Sequence, residues 1–121
     1  MPYYRKSTRL PVAYYVGTRT HFITICCGLR RCHLADPKIA EAVRDLLLVS
    51  GTRHNFLIHA YCLTPDHIHF LAQGVRPDSD LREFVRNFKL RTAYGFSTGS
   101  GRRLWEKSYY DHILRSAESL E

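Results

Sequence analysis

The stretch Phe56-Leu57-Ile58-His59-Ala60-Tyr61-Cys62-Leu63-Thr64-Pro65-Asp66-His67-Ile68-His69-Phe70-Leu71-Ala72-Gln73 contains two apolar runs separated by three turn-forming residues. Proline presets the backbone dihedral that a turn needs, so Thr64-Pro65-Asp66 predicts a tight turn and the flanking runs a hairpin. The first run, Phe56 to Leu63, is apolar on both faces, through Phe56, Ile58, Ala60 and Cys62 on one and Leu57, Tyr61 and Leu63 on the other. That pattern predicts a central strand covered on both sides. In the second run, His67 to Gln73, side chains alternate, so His67 and His69 share one face while Ile68 and Phe70 point into the core. Two imidazoles at adjacent same-face positions can hold one divalent ion between them. They can equally be hydrogen-bonded polar groups at a strand end. Gln73 lies on the same face.

Outward from the hairpin, the chain supplies the rest of a sheet and its cover. His21 to Cys27 is rich in β-branched and aromatic residues and predicts a first strand; Gly28 to Leu34 is a basic loop. Asp36-Pro37 gives an N-cap followed by proline at the first helical position. Ile39, Val43, Leu46 and Leu47 then recur at helical spacing, with Gly51 as the expected stop. After the break from Gly74 to Pro77, a second helix is predicted from Asp78 to about residue 94, with Leu81, Phe84, Val85 and Phe88 as its apolar stripe. Arg82, Arg86 and Lys89 fall on another face of that helix. They read as a solvated face or as phosphate contacts. Residues Ser97 to Arg103 form a loop, and Leu104 to Leu114 predicts a fourth strand through Trp105, Tyr109, Tyr110 and Ile113. Strand, helix, strand, strand, helix, strand is the βαββαβ order of an α+β, ferredoxin-like antiparallel sheet with helices.

A chain of 121 residues makes one domain, and its hydrophobic fraction of 45% excludes disorder. No apolar run reaches the roughly 18 residues that span a bilayer, and the start lacks a signal peptide's apolar centre, so a cytoplasmic protein without membrane contact is expected. Cys26, Cys27, Cys32 and Cys62 form no Cys-x-x-Cys pair and are expected reduced; a zinc site on Cys32 and His33 is the alternative use. The net charge of +7 is concentrated at the front: residues 1–35 carry Arg5, Lys6, Arg9, Arg19, Arg30 and Arg31 and no acid. Residues 1–20 therefore read as a basic N-terminal arm ahead of a domain over 21–121. Its interleaved tyrosines, Tyr3, Tyr4, Tyr14 and Tyr15, suit base stacking or packing on the sheet, and the charge suits nucleic acid.

The histidine pair narrows the chemistry. Amidohydrolases that use His-x-His need a barrel of roughly 250 residues, which this chain cannot build. Metallo-β-lactamase-like enzymes need His-x-His-x-Asp, and the fifth position here is Leu71. Pro65-Asp66-His67-Ile68-His69-Phe70-Leu71 on a third strand instead resembles the HUH motif of single-strand DNA endonucleases. Arg9-Leu10-Pro11, Phe22-Ile23-Thr24, the run His59 to His69, the block Phe84 to Tyr94 and the block Leu104 to Arg115 extend the likeness. Together they resemble the REP-associated tyrosine transposases, a branch of the single-tyrosine HUH transposases.

That resemblance implies a mechanism. His67 and His69, with a third ligand, would hold Mg²⁺ or Mn²⁺ against the scissile phosphate of a hairpin-containing single strand. A tyrosine hydroxyl would attack, giving a 5′-phosphotyrosine and a free 3′-hydroxyl, and rejoining would be the reverse. DNA contacts are expected from Arg5, Lys6, Arg9, Arg82, Arg86 and Lys89, and family members work as monomers or homodimers. The family's nucleophile lies on a further helix beyond the Asp-x-x-x-Arg that ends here at Arg115, and only Ser116 to Glu121 follow. The expectation is therefore a chain cut before the tyrosine helix, with Tyr110 the substitute candidate. Two readings follow: a transposase whose full-length form cleaves and rejoins single strands, or an inactive DNA-binding module that keeps metal and hairpin binding.

Overall fold

The computed structural model describes residues 11–96 and 103–114. Strand β1 (Thr20–Cys26), helix α1 (Pro37–Arg53), strands β2 (Phe56–Thr64) and β3 (His67–Gly74), helix α2 (Leu81–Phe96) and strand β4 (Tyr110–Ile113) follow in the predicted order. The sheet is antiparallel throughout, in the spatial order β2-β3-β1-β4. The chain is thus an α+β sandwich of the ferredoxin-like kind.

Both helices cover the same face of the sheet. Ile23, Ile25, Ile68, Phe70 and Ala72 point from β1 and β3 into a buried cluster with Val43 and Leu47 of α1 and Leu81, Phe84, Val85 and Phe88 of α2. Phe70, Phe84 and Phe88 are essentially inaccessible to solvent; burying each contributes roughly 1.5–3 kcal/mol. The opposite face carries the even-numbered residues of β1 and the odd-numbered residues of β3. It has no helix on it among the described residues.

Capping sets the helix starts. The Asp36 side chain accepts from the Lys38 N–H at 2.9 Å, with Pro37 at the first turn. Helix α2 begins at Leu81 rather than Asp78, because the Asp80 carboxylate accepts from the Arg82 N–H at 3.0 Å and so acts as the cap. Helix α1 does not stop at Gly51 but runs on to Arg53. Gly51 serves close approach instead: a Cβ there would sit 3.1 Å from the Ile58 side chain on β2.

Three expectations are corrected. Strand β2 is an edge strand, not a central one, with Leu57 and Tyr61 about half exposed. Its apolar look on both faces arises because its register against β3 shifts between Ile58 and Ala60. The fourth strand is confined to Tyr110–Ile113. Before it, Trp105 makes only an isolated bridge to Cys27, and its indole turns under α2, where Nε1 donates to the buried Thr92 hydroxyl at 2.7 Å. Of the two uses open to Tyr15, packing is the one observed: it is 2% exposed and belongs to the core. It sits in a single 3-10 turn, Val12–Tyr15, while Tyr14 lies beneath the Arg19 guanidinium at 5.1 Å.

Candidate metal centre

The turn at Thr64-Pro65-Asp66 delivers His67 and His69 to the open face of β3, where their Nε2 atoms face each other at 2.8 Å. Each ring is held from behind. His67 Nδ1 lies 2.7 Å from Asp66 Oδ1 and 2.8 Å from the Thr64 hydroxyl. His69 Nδ1 lies 2.9 Å from the Thr24 hydroxyl, which reaches it from the adjacent strand because Thr24 pairs with His69 in register. Phe22, also on β1, stacks on the His69 ring at a centroid distance of 5.4 Å and an interplanar angle of 17°.

Asp66 is itself anchored. Arg30 donates to its other oxygen, Oδ2, from Nε at 3.1 Å and from Nη2 at 2.9 Å. Arg30 gets there through a backbone conformation that side chains disfavour: Leu29 and Arg30 have φ of 55° and 53°. Such residues cost on the order of 1 kcal/mol or more each and persist only where surrounding contacts hold them. Here Cys27 N–H donates to the Asp66 carbonyl and Leu34 N–H to the Pro65 carbonyl, both at 2.9 Å, bolting the loop after β1 to the histidine turn.

The electrostatics agree with this arrangement. The hydrogen bond from His67, and then Arg30, hold the Asp66 carboxyl below its ordinary range. Burial, and then the neighbouring His67, push the His69 imidazole down, so its neutral form is favoured. Imidazoles with Nε2 atoms converging on one point, and with both Nδ1 atoms held by oxygen partners, match the arrangement of metal-binding histidines. Among the described residues, no set of three His, Cys, Asp or Glu gathers around a common point, at the histidine pair or at Cys32 and His33. The His33 ring packs against Phe96 instead, at 4.6 Å.

The other expected site residues are distributed as follows. Tyr110 stands in the same row as the pair: Cys62, His69, Thr24 and Tyr110 are register partners across all four strands. Two strand spacings, roughly 10 Å, separate its backbone from that of His69. Arg82 pairs with Asp80 at 3.0 Å and Arg86 approaches Glu83 at 3.5 Å, and both are exposed on α2. Lys89 is placed differently. Its Nζ donates to the carbonyls of Glu106, Lys107 and Ser108 at 2.7, 3.1 and 3.4 Å, tying α2 to the segment before β4. Arg5, Lys6 and Arg9, and also Arg115, lie outside the described residues. Gln73 Oε1 accepts from His59 Nε2 at 2.8 Å rather than approaching the pair.

Sequence reasoning did not single out Thr24, Arg30 or Phe22. Thr24 and Phe22 become neighbours of His69 only through the β1–β3 register, which no local pattern discloses. The Asp directly before His67 was in plain view, but its role depends on Arg30 arriving from a loop 36 residues away.

Comparison with known families and structures follows the same direction. The family described as Transposase IS200 like matches residues 15–120. The structure of a REP-associated tyrosine transposase bound to a REP hairpin aligns with a TM-score of 0.72 at 22% identity, over 95% of this chain. This chain spans 63% of the length of that one. A transposase-like protein of Deinococcus radiodurans aligns with a TM-score of 0.69 at 23% identity, over 84% of this chain and 83% of its own. At these identities both structures attest the fold. No curated protein matches the sequence. Among the described residues no helix is long and apolar enough to cross a membrane.

Proposed function

The chain belongs to the IS200-like transposase family, and from that premise we propose that it binds single-stranded DNA carrying a REP-like hairpin and positions one phosphate at His67 and His69. The observation that carries this reading is the convergence of the two Nε2 atoms at 2.8 Å on the open sheet face, each ring braced at Nδ1. The donor set fits a divalent cation, Mg²⁺ or Mn²⁺, held by His67 and His69. When bound, such an ion supplies Lewis-acid polarisation of a phosphate oxygen. The remaining work belongs to the chain itself. Asp66 and Thr24 keep the rings aimed, Arg5, Lys6 and Arg9 contact phosphates along the strand, and Arg82 and Arg86, on α2 behind the other face of the sheet, meet phosphates of DNA that reaches around the domain.

In the strand-transfer reading, a tyrosine oxygen forms a bond to phosphorus as the bond to the 3′-oxygen breaks, leaving a 5′-phosphotyrosine and a free 3′-hydroxyl. Tyr110 is the candidate within the described residues, since it shares the row of His69 and Thr24.

The test uses a 3′-labelled hairpin oligonucleotide with a single-stranded flank, with and without Mn²⁺. Wild-type protein is expected to bind it in preference to a blunt duplex of equal length, and Mn²⁺ is expected to tighten binding. His67→Ala is expected to abolish the Mn²⁺ effect while leaving metal-independent affinity in place. An adduct that survives denaturation and is lost in Tyr110→Phe would establish strand cleavage by this chain. Equal affinity for hairpin and duplex, or an undiminished Mn²⁺ effect in His67→Ala, would refute the reading.

A further inference from the structure

The open face of the sheet is polar in one row and apolar in the next. Cys62, His69, Thr24 and Tyr110 form the row of the pair. Two residues further along the strands, about 6.8 Å away, Ala60, Leu71 and Phe22 are register partners across β2, β3 and β1. Ala60 and Phe22 are exposed, Phe22 to 37%, and Leu71 is half-buried. With Cys62 and the His69 ring, these three line a shallow cavity of about 140 Å³. Single exposed apolar side chains are ordinary on a protein surface, but a contiguous set around a cavity marks a binding face.

What such a face would take follows from its neighbour. In the function proposed above, a phosphate of a single strand rests at His67 and His69. Each base hangs from the phosphate chain through one sugar, so the bases on either side of that phosphate reach the adjoining row. Phe22 offers a π surface there, and Ala60 and Leu71 an aliphatic floor. Every base has a π face, so stacking of this kind tolerates any of the four. Ala60, Leu71 and Phe22 carry no hydrogen-bonding side-chain group, so the row grips a base by its face and does not read its edge. A base inside a duplex has both faces covered by its neighbours. Only unpaired strand can use the row.

We infer that Phe22 is a base platform: it stacks on the unpaired base adjoining the phosphate held at His67 and His69, with Ala60, Leu71 and Cys62 beneath. The inference rests on the proposed function and deepens it, because it gives the chain a reason to prefer single strand beside a hairpin. Phe22 thereby sets which nucleotide of the flank lies at the pair.

The experiment uses the full chain and the hairpin oligonucleotide with a single-stranded flank, each flank position in turn made abasic. One abasic position is expected to weaken binding by about 5–150-fold, the value of one base stacked on an aromatic ring. Phe22→Ala is expected to weaken the intact oligonucleotide by the same factor, and the two losses are expected not to add. Phe22→Leu keeps apolar bulk without the π face and should behave like Phe22→Ala, whereas Phe22→Trp should bind at least as tightly as wild type. That second pair decides the matter should Phe22→Ala fold poorly. Saturating oligonucleotide should also slow alkylation of the exposed Cys62 thiol and spare the rate at Cys32, exposed elsewhere. Additive losses, wild-type affinity in Phe22→Leu, or an unprotected Cys62 in the saturated complex overturns the inference while the preference for hairpin over duplex stands. A wild-type protein that binds hairpin and duplex alike overturns it together with the function on which it rests.

Discussion

Thr92→Val isolates one buried hydrogen bond that holds the far side of the fold in place. The Thr92 hydroxyl donates to the Phe88 carbonyl at 2.8 Å and accepts from Trp105 Nε1 at 2.7 Å, and both residues are buried. Valine keeps the β-branched shape and nearly the same helix propensity, so the change removes chemistry more than volume. The Phe88 carbonyl loses a second partner and keeps its helical one, at little cost. The indole N–H has no replacement acceptor and is orphaned, which costs about 1–3 kcal/mol. Taking about 2 kcal/mol, and an unfolding entropy of about 2.1 cal/mol/K per residue over 121 residues, the melting temperature should fall by about 8 °C. Urea unfolding of four proteins checks it: wild type, Thr92→Val, Trp105→Phe and the double variant. In the Trp105→Phe background there is no N–H to orphan, so Thr92→Val should then cost less than about 0.5 kcal/mol. An equal cost in both backgrounds would refute the reasoning.

His21 is 1% exposed with its imidazole pushed down to about 4, first by burial and then by Arg19. It folds neutral and is protonated more readily when unfolded, so stability should be full above pH 6.5 and fall by up to roughly 3 kcal/mol as the pH drops towards 4. Chemical denaturation across that range checks this, and His21→Phe should flatten the slope. Lys89→Met should lower stability by about 1–2 kcal/mol through the three carbonyls it abandons, whereas Arg82→Ala and Arg86→Ala should leave the melting temperature within about 2 °C and weaken DNA binding in low salt. Calorimetry beside a binding assay separates the two behaviours, and equal destabilisation by all three would defeat the distinction. Two of the four thiols, Cys32 and Cys62, are exposed. Cys27 is pushed up to about 11 by burial and Cys26 is raised for the same reason. A thiol reagent at pH 8 should therefore modify two cysteines rapidly in the native protein and four after denaturation, with three or more fast native reactions counting against the buried pair.

The order of elements was legible because each carries its own local signal. Asp36-Pro37 announces a helix wherever the chain folds, and Leu81, Phe84, Val85 and Phe88 recur at helical spacing without help from neighbours. The two histidines were legible as same-face residues for the same reason. What was hidden is whatever depends on register or on distant loops. Nothing in His21-Phe22-Ile23-Thr24 says that Thr24 will meet His69, and nothing in Gly28-Leu29-Arg30 says that Arg30 will reach Asp66. Trp105 read as a strand residue because aromatic residues favour strands, but the acceptor offered by Thr92 drew it out of the sheet. Lys89 read as part of a basic stripe because spacing counts charges and does not see carbonyls converging on one of them.

The shift in register between Ile58 and Ala60 settles which side of the hairpin each later residue serves. Phe56 and Ile58 turn towards the helices, and uninterrupted alternation would send Ala60, Cys62 and Thr64 after them. The additional residue, His59, inverts the phase, so those same even positions emerge beside the histidines instead. Thr64 thereby brings its hydroxyl to within 2.8 Å of His67 Nδ1. Strand β2 behaves as two half-strands of opposite parity, the first built to seal the core and the second to flank the histidine pair. Were His59 paired into a regular ladder instead, Thr64 would turn to the wrong side, so one apparent irregularity in an edge strand is what joins the interior of this protein to its chemistry.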